Sequence, residues 1–316
     1  IVGGGVSAIS TALTLERLNI SSLIIEAGPV GPNIDDVSQS FYNGKTTKDD
    51  YFDLKETRVR KFGGSSEHWE DQVTLRPLDK YDFKEWLFKK EELDKYTFEA
   101  AKIFEVKDNF SNKDIRVSEG IQITKFIYGK PKKQGNHHEI HFGKKFLNHI
   151  KNSKKIYLVG DTRVLSLDGE NEVEKIYYIK DNIKNELTPK ITIMATGGIE
   201  NSRILLYSQK ISKKNFLHNI KIGTNWMEHI TGLVIGSFVG NYEKLENLIS
   251  CFNKELDYNN TYISFTDETL NRLNSLNILL KFQKNKLSKK IFYHLKSFFQ
   301  KFSLILDPLF KILNLN

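Results

Sequence analysis

Ile1-Val2-Gly3-Gly4-Gly5-Val6-Ser7-Ala8 opens the chain, and Ser22-Leu23-Ile24-Ile25-Glu26 follows one helix-length later. Ile1-Val2 reads as the stub of a buried β-strand. From Ile9 to Leu18 the apolar residues Ile9, Ala12, Leu13 and Leu15, with Ala8 ahead of them, recur at helical spacing. Ser22 to Glu26 reads as a second buried strand ending in a carboxylate. The order is strand, glycine turn, helix, strand, acid, and each part has a physical task. Gly3 permits the tight turn, Gly5 lets the backbone approach a pyrophosphate, and Ala8 is small enough for the helix to pack on the strand. Val6, Ser7 and Ala8 complete the turn and lead into the helix, whose free N–H groups and partial positive charge suit phosphates. Glu26 stands about 20 residues on, where a carboxylate reaches ribose hydroxyls. A dinucleotide is the expected ligand; the alternative is a tight strand–helix turn without one. The carboxylate argues against NADP and leaves FAD and NAD both open.

The 316 residues are enough for two domains with a sizeable core. Hydrophobic residues make up 39% and charged residues 27%, an ordinary globular balance. Cys251 stands alone, which excludes an internal disulfide and a cysteine-based zinc site. No apolar run approaches the roughly 18 residues of a spanning helix. The net charge of +8 is concentrated: Lys281 to Asn316 holds eight lysines against one aspartate, and the rest is near neutral. A global basic surface for nucleic acid is therefore not expected. Both ends read as cut, since Ile1 already sits near a strand end with no initiator Met before it. The expected location is the cytoplasm, and a signal or transit peptide ahead of Ile1 is compatible with this beginning.

Two further stretches refine the picture. Arg58-Val59-Arg60-Lys61-Phe62-Gly63-Gly64-Ser65-Ser66-Glu67-His68-Trp69 reads as a loop rich in exposed N–H and O–H donors, able to lie along a flat polar ring or to be a plain surface loop. Ile191-Thr192-Ile193-Met194-Ala195-Thr196-Gly197-Gly198-Ile199-Glu200-Asn201-Ser202-Arg203 reads as a buried strand, a small-residue turn and a helix. Together with the opening turn, with Arg76-Pro77-Leu78-Asp79 and with Gly223-Thr224-Asn225-Trp226-Met227-Glu228-His229, these resemble the glucose–methanol–choline oxidoreductases, in that family's order. The resemblance covers about residues 1–110 and 155–230.

The resemblance implies FAD as cofactor. It implies that Glu26, with Ala27 after it, holds the adenosine ribose, and that the backbone of Val164 meets adenine. It places the loop Gly63, Gly64, Ser65, Ser66, His68 and Trp69 beside the isoalloxazine ring. Ala195, Thr196 and Gly197, with Asn201 beyond them, then line the FAD crevice. In pyranose-oxidase-like and choline-oxidase-like members a histidine at the place of His68 is bonded covalently to the flavin 8α carbon. An imidazole nitrogen can add to that electrophilic methyl, so His68 is read either as a covalent attachment or as a histidine that hydrogen-bonds the ring. His229 is read either as lining the crevice or as a buried, hydrogen-bonded histidine. His137, His138 and His141, in the lysine- and glycine-rich stretch Lys130 to Lys145, are read as a solvated loop, and no metal is expected.

The activity implied is oxidation of the CH–OH group of an alcohol or sugar, with hydride passing to flavin N5 and an electron acceptor left open. The family's base, a histidine paired with His or Asn, has no counterpart up to His294, and the catalytic residues are expected beyond Asn316. Two rival readings stand beside this one: a flavoprotein or scaffold without catalysis, and an NAD-dependent dehydrogenase. Lys289 to Leu306 mixes Ile291, Phe292, Leu295, Phe298, Phe299 and Phe302 with lysines. This reads either as an interfacial helix that touches anionic lipid or as a helix packed on another part of the protein. The expected fold is α/β, a Rossmann-like FAD-binding domain in separate segments with an incomplete α+β substrate domain. Its parts are 1–110, a first FAD-binding segment; 111–154, a substrate or cap insertion; 155–230, a second segment with a β-meander from Lys155 to Pro189; and 231–316, incomplete substrate domain and basic tail, including a helical stretch Leu273 to Leu280.

Overall fold

A computed structural model describes residues 1–31, 44, 54–69, 73–75, 86–104, 115–125, 127–129, 133–134, 137–138, 141–212, 214, 217–218, 220–226, 261–275 and 279–280. His229, Cys251, His294 and the basic tail lie outside the described residues. In chain order the elements are α1 (Val6–Arg17), β1 (Ser22–Ile25), α2 (Leu54–Thr57), a 3-10 turn (Gly64–His68), β2 (Val73–Leu75), α3 (Lys90–Ile103), β3 (Ile115–Ser118), β4 (Ile121–Lys125), β5 (Ile127–Gly129), β6 (Lys133–Gln134), β7 (His137–His138), α4 (Phe142–Asn152), β8 (Ile156–Val159), β9 (Thr162–Gly169), β10 (Val173–Lys180), β11 (Ile183–Leu187), α5 (Gly198–Ile211), β12 (Thr261–Phe265) and α6 (Asp267–Leu273). They divide into two compact units: Ile1–Ser111 with Phe126–Asn247, and Asn112–Lys125 with Leu248–Asn316.

The larger unit is built on a parallel sheet. β8 pairs with β1, from Ser22 opposite Ile156 to Ile25 opposite Val159. The stub at Val2 lies between Ile25 and Met194, parallel to both. Residues adjacent along β1 serve two cores, because successive side chains of a strand point to opposite faces. Ile24 joins Ile9, Ala12, Phe62, Phe142, Leu147, Ile150 and Ile156 in the core under α1 and α4. Ile25 joins Val2, Val164, Leu167, Ile176 and Ile204 in the core against the β9–β10–β11 meander and α5. The hairpin between β10 and β11 turns on Asp181 and Asn182, both at positive φ, as a two-residue turn between twisted strands requires. Ser208, buried in α5, accepts a hydrogen bond from the Leu167 N–H at 2.8 Å and ties that helix to β9.

Several expectations are corrected in this unit. The meander begins at Thr162 and not at Lys155: Ile156–Val159 is a strand of the parallel sheet, drawn there by the pairing of its backbone with β1. The segment 191–195 is not a buried strand. Among the described residues it meets the sheet at Val2, with Val2 donating to the Ile193 carbonyl at 2.8 Å and Ala195 donating to the Val2 carbonyl at 2.8 Å, and Ile191 is 81% exposed. The expected 111–154 insertion does not form one body either. Residues 112–125 belong with the smaller unit, whereas α4 turns Phe142, Leu147 and Ile150 into the core of the larger one. The stretch Lys130 to Lys145 is likewise more than a solvated loop, since it contains the β6–β7 hairpin and the buried start of α4.

The smaller unit is an antiparallel sheet in the order β12-β4-β3 with α6. Thr124 and Ser264, both buried, share a hydroxyl–hydroxyl hydrogen bond of 2.6 Å between β4 and β12. The expected helix over Leu273 to Leu280 is corrected: α6 ends at Leu273 because Asn274 adopts a left-handed conformation, and Leu280 then pairs with Ile263 in an antiparallel bridge.

The Phe142 ring is almost wholly enclosed by both helices and the sheet, so its loss leaves a cavity that its neighbours only partly fill. Phe142→Ala is expected to cost about 3–5 kcal/mol of stability, read as a shift in the urea unfolding midpoint.

Candidate functional site

The C-terminal ends of the parallel strands open into one crevice, at the place where the chain order reverses about the Val2 stub. Open α/β sheets bind ligands at such a point. The lining comprises the opening turn from Val2 to Ser7, Ile25 to Ala27, Arg58 to Lys61, Gly64 to Ser66 with Trp69, Thr162 to Val164, and Ala195 to Arg203 with interruptions. Residues remote in sequence thus converge at a single cleft.

Its floor is backbone. Gly3 has φ +101°, and a Cβ there would lie 2.5 Å from the Ala195 carbonyl oxygen, so only glycine lets the first turn pass beneath the 195–197 turn. The Gly4 N–H donates to Glu26 Oε2 at 2.7 Å, and its carbonyl accepts from the Gly63 N–H at 2.8 Å. The two glycine-rich stretches therefore lie directly against one another, with Gly5 and Gly63 paired in a parallel bridge. A Cβ on Gly28 would collide with the Arg60 carbonyl oxygen, which explains the glycine that follows the acidic strand end.

Two helices start at this cleft and neither start is capped by a side chain. α1 begins after Gly5 with no acidic residue in its first turn, whereas α5 begins after Gly197 with Glu200 in its first turn. The leading N–H groups of a helix have no partner within it and carry partial positive charge, so uncapped starts are matched by an anion. Arg58, Arg60, Lys61, Arg163 and Arg203 outnumber Glu26 and Glu200 in the lining. Arg203 is bound to Glu200 at 2.8 Å.

Glu26 is 6% exposed, with Oε1 accepting from the Gly28 N–H at 2.7 Å and Oε2 from Gly4. Burial raises its carboxyl above the ordinary value; N–H groups of Gly28 and Gly4, the Arg60 charge and the Ala27 N–H counter this only in part. Each carboxylate oxygen keeps a lone pair beyond these bonds, available to a ligand hydroxyl. Glycines without room for a Cβ, two uncapped helix starts and a buried carboxylate at the cleft fit a dinucleotide.

Not every expected residue faces the crevice. Gly3, Gly5, Val6, Ser7, Glu26, Ala27, Gly64, Ser65, Ser66, Trp69, Val164, Ala195, Thr196 and Gly197 line it. Ala8 is buried on the inner face of α1. The Ser66 hydroxyl, expected as an exposed donor, is fully buried and donates to the Gly63 carbonyl at 2.7 Å. Asn201 accepts from both the Thr196 N–H at 3.1 Å and the Thr196 hydroxyl at 2.6 Å, and so shapes the 195–197 turn from behind. His68 closes the 3-10 turn in its backbone, and its side chain lies outside the described residues, as does the whole of His229. Gly4, Gly28, Arg60, Lys61 and Arg163 were not singled out from the sequence. For Gly28 a signal existed, a glycine two places after the strand-end acid; for the basic residues there was none, because their approach depends on the fold. Trp226 packs over Gly198 at the start of α5, with the Arg58 guanidinium 6.0 Å from its ring centre.

No family model and no curated protein matches the chain. Among solved structures it is similar to a pyridoxine 4-oxidase from Mesorbium loti, at 16% identity and a TM-score of 0.40, over 64% of this chain and 50% of that one. A formate oxidase is similar at 17% identity and a TM-score of 0.40, over 64% and 46%. So is a variant of the Aspergillus oryzae RIB40 formate oxidase studied for its FAD modification, with the same values. The chain spans about half the length of these structures.

The raised Glu26 carboxyl carries a pH signature in the ligand-free protein. The folded chain holds that proton more tightly than the unfolded chain, so the stabilisation is complete below the ordinary carboxylate range and is lost as pH rises from there through the raised value. Glu26→Gln is expected to flatten this fall, measured as unfolding free energy from denaturant titrations at a series of pH values; a slope equal to that of the wild type would refute it.

Proposed function

We propose that the crevice holds FAD and that the larger unit is the Rossmann-like cofactor domain of an oxidoreductase of the glucose–methanol–choline type. The observation that carries this reading is the convergence of the uncapped starts of α1 and α5 with the Glu26 carboxylate on one glycine-floored cleft. The first N–H groups of α1 are suited to the pyrophosphate, and Glu26 to the adenosine ribose. In this reading Val164, with Arg163 beside it, would meet adenine, and the turn Gly64–His68 with Trp69 would face the isoalloxazine ring. The reading favours FAD over NAD because that second turn is part of the lining and is bonded to the first.

The reaction proposed is oxidation of a CH–OH group of an alcohol or sugar, for which bound flavin supplies the hydride acceptor. The contribution of the described residues is to bind and orient: backbone donors for the phosphates, a carboxylate for the ribose, and a rigid turn beside the ring.

The purified chain is expected to quench FAD fluorescence saturably, with NAD unable to displace the flavin. Gly3→Ala, which sets a Cβ against the Ala195 carbonyl, is expected to weaken binding by about tenfold or more, equivalent to about 1.4 kcal/mol. Absence of saturable quenching by the wild type, or full displacement by NAD, would overturn the assignment.

For His68 we propose a covalent link to the flavin, in which an imidazole N–H and a C8α–H would be replaced by an N–C bond, both protons leaving to solvent and the two electrons passing through the flavin to the reaction's own electron acceptor. Acid precipitation of the flavin-loaded protein followed by in-gel fluorescence is expected to show a fluorescent band that His68→Asn lacks. A colourless pellet with all flavin in the supernatant would reject the link and leave non-covalent binding.

A further inference from the structure

The turn Gly64–His68 forms a wall of the crevice, yet it is held from the opposite side. α4 begins at Phe142 after His141, whose side chain makes no capping hydrogen bond, and its first turn holds no acidic residue. Its first two N–H groups are satisfied from 76 residues away: Phe142 donates to Ser66 Oγ at 3.1 Å and Gly143 donates to Glu67 Oε1 at 2.9 Å. The Glu67 side chain is 0% exposed, and its Oε2 lies 4.0 Å from the Nζ of Lys61, which is 7% exposed. The fit is close. A Cβ on Gly63 would lie 2.7 Å from the Gly143 nitrogen, and one on Gly143 would lie 3.0 Å from Glu67 Oε1. The carboxylate sits in a slot between two glycines, at the positive end of a core helix.

We infer that Glu67 is a positioning residue for FAD: anchored to the start of α4 and opposed to Lys61, it sets the conformation of the turn that faces the cofactor. The inference rests on the FAD reading above. A carboxylate at a helix start is favoured by the helix dipole. Loss of Glu67 removes both the acceptor of the Gly143 N–H and a buried charge opposite Lys61, so the turn loses its tie to α4 and the surroundings of Lys61 change with it. Lys61 itself lines the crevice, which carries that change to the ligand side.

A comparison variant exists at the other end of the same helix. Glu16 of α1 lies 2.6 Å from His149 Nε2 and accepts from the Ser153 hydroxyl, clamping the last turn of α4 far from the crevice lining. The test uses the full chain, with FAD affinity from fluorescence titration, the visible spectrum of the bound flavin, and the thermal midpoint of the flavin-free protein. Glu67→Ala is expected to raise the FAD dissociation constant by about tenfold and to alter the flavin band shape. Glu67→Gln, which keeps an acceptor for Gly143 and loses the charge opposite Lys61, is expected to fall between it and the wild type; it carries the test if Glu67→Ala does not fold. Glu16→Ala is expected to lower the thermal midpoint without changing FAD affinity or spectrum. Wild-type affinity and spectrum in both Glu67 variants would overturn the inference, as would an equal loss of FAD affinity in Glu16→Ala. Failure of the wild type to bind FAD would instead overturn the cofactor assignment on which the inference stands.

Discussion

The backbone of Gly4 is where the structure is pinned. Its N–H is bonded to the Glu26 carboxylate and its carbonyl to the Gly63 N–H, so the opening turn, the end of β1 and the Gly63–Gly64 stretch form one hydrogen-bonded unit. A Cβ on Gly4 would lie 2.7 Å from Glu26 Oε2 and 3.1 Å from the Phe62 ring, so the three segments close only over a glycine. Because the buried carboxylate is already bonded at both oxygens, the cleft needs no ligand to satisfy it. A floor of this kind is preorganised, and preorganisation lowers the cost of binding.

From that unit the rest of the larger body follows. β1 sends Ile24 to one core and Ile25 to the other, so the strand that carries Glu26 is held from both faces. α4 extends the same logic. Its apolar side fills the core beneath α1, while its first two N–H groups bind Ser66 and Glu67 of the turn on the crevice wall. One helix, distant in sequence from either glycine motif, thus packs against the sheet and holds the turn together.

Much of the site was legible because it is local. Gly3, Gly5, the start of α1 and Glu26 lie within one strand–helix–strand unit, where spacing along the chain is spacing in the fold. The meander was legible from alternation, and α5 from the small-residue turn before it. The hydrogen bonds of other residues were not legible, for a consistent reason. Ser66 and Asn201 are short polar side chains beside glycine turns, and in sequence such residues look the same whether they face a ligand or fold back on the backbone. The role of Ser66 is decided by Phe142 and that of Asn201 by Thr196. The strand at 191–195 looked buried by composition, but burial depends on what lies beside it.

By itself the sequence determined the strand–turn–helix–acid unit and the residue types it demands, because steric room at a glycine and helical periodicity are properties of neighbouring residues. Only the tertiary structure decided that the second glycine stretch lies on the first, that α4 belongs to this body and not to an inserted domain, and that Glu67 serves the start of that helix. Each of these depends on a hydrogen bond or a packed side chain joining positions tens of residues apart. Such pairs leave no periodicity or spacing in the chain from which they could be read.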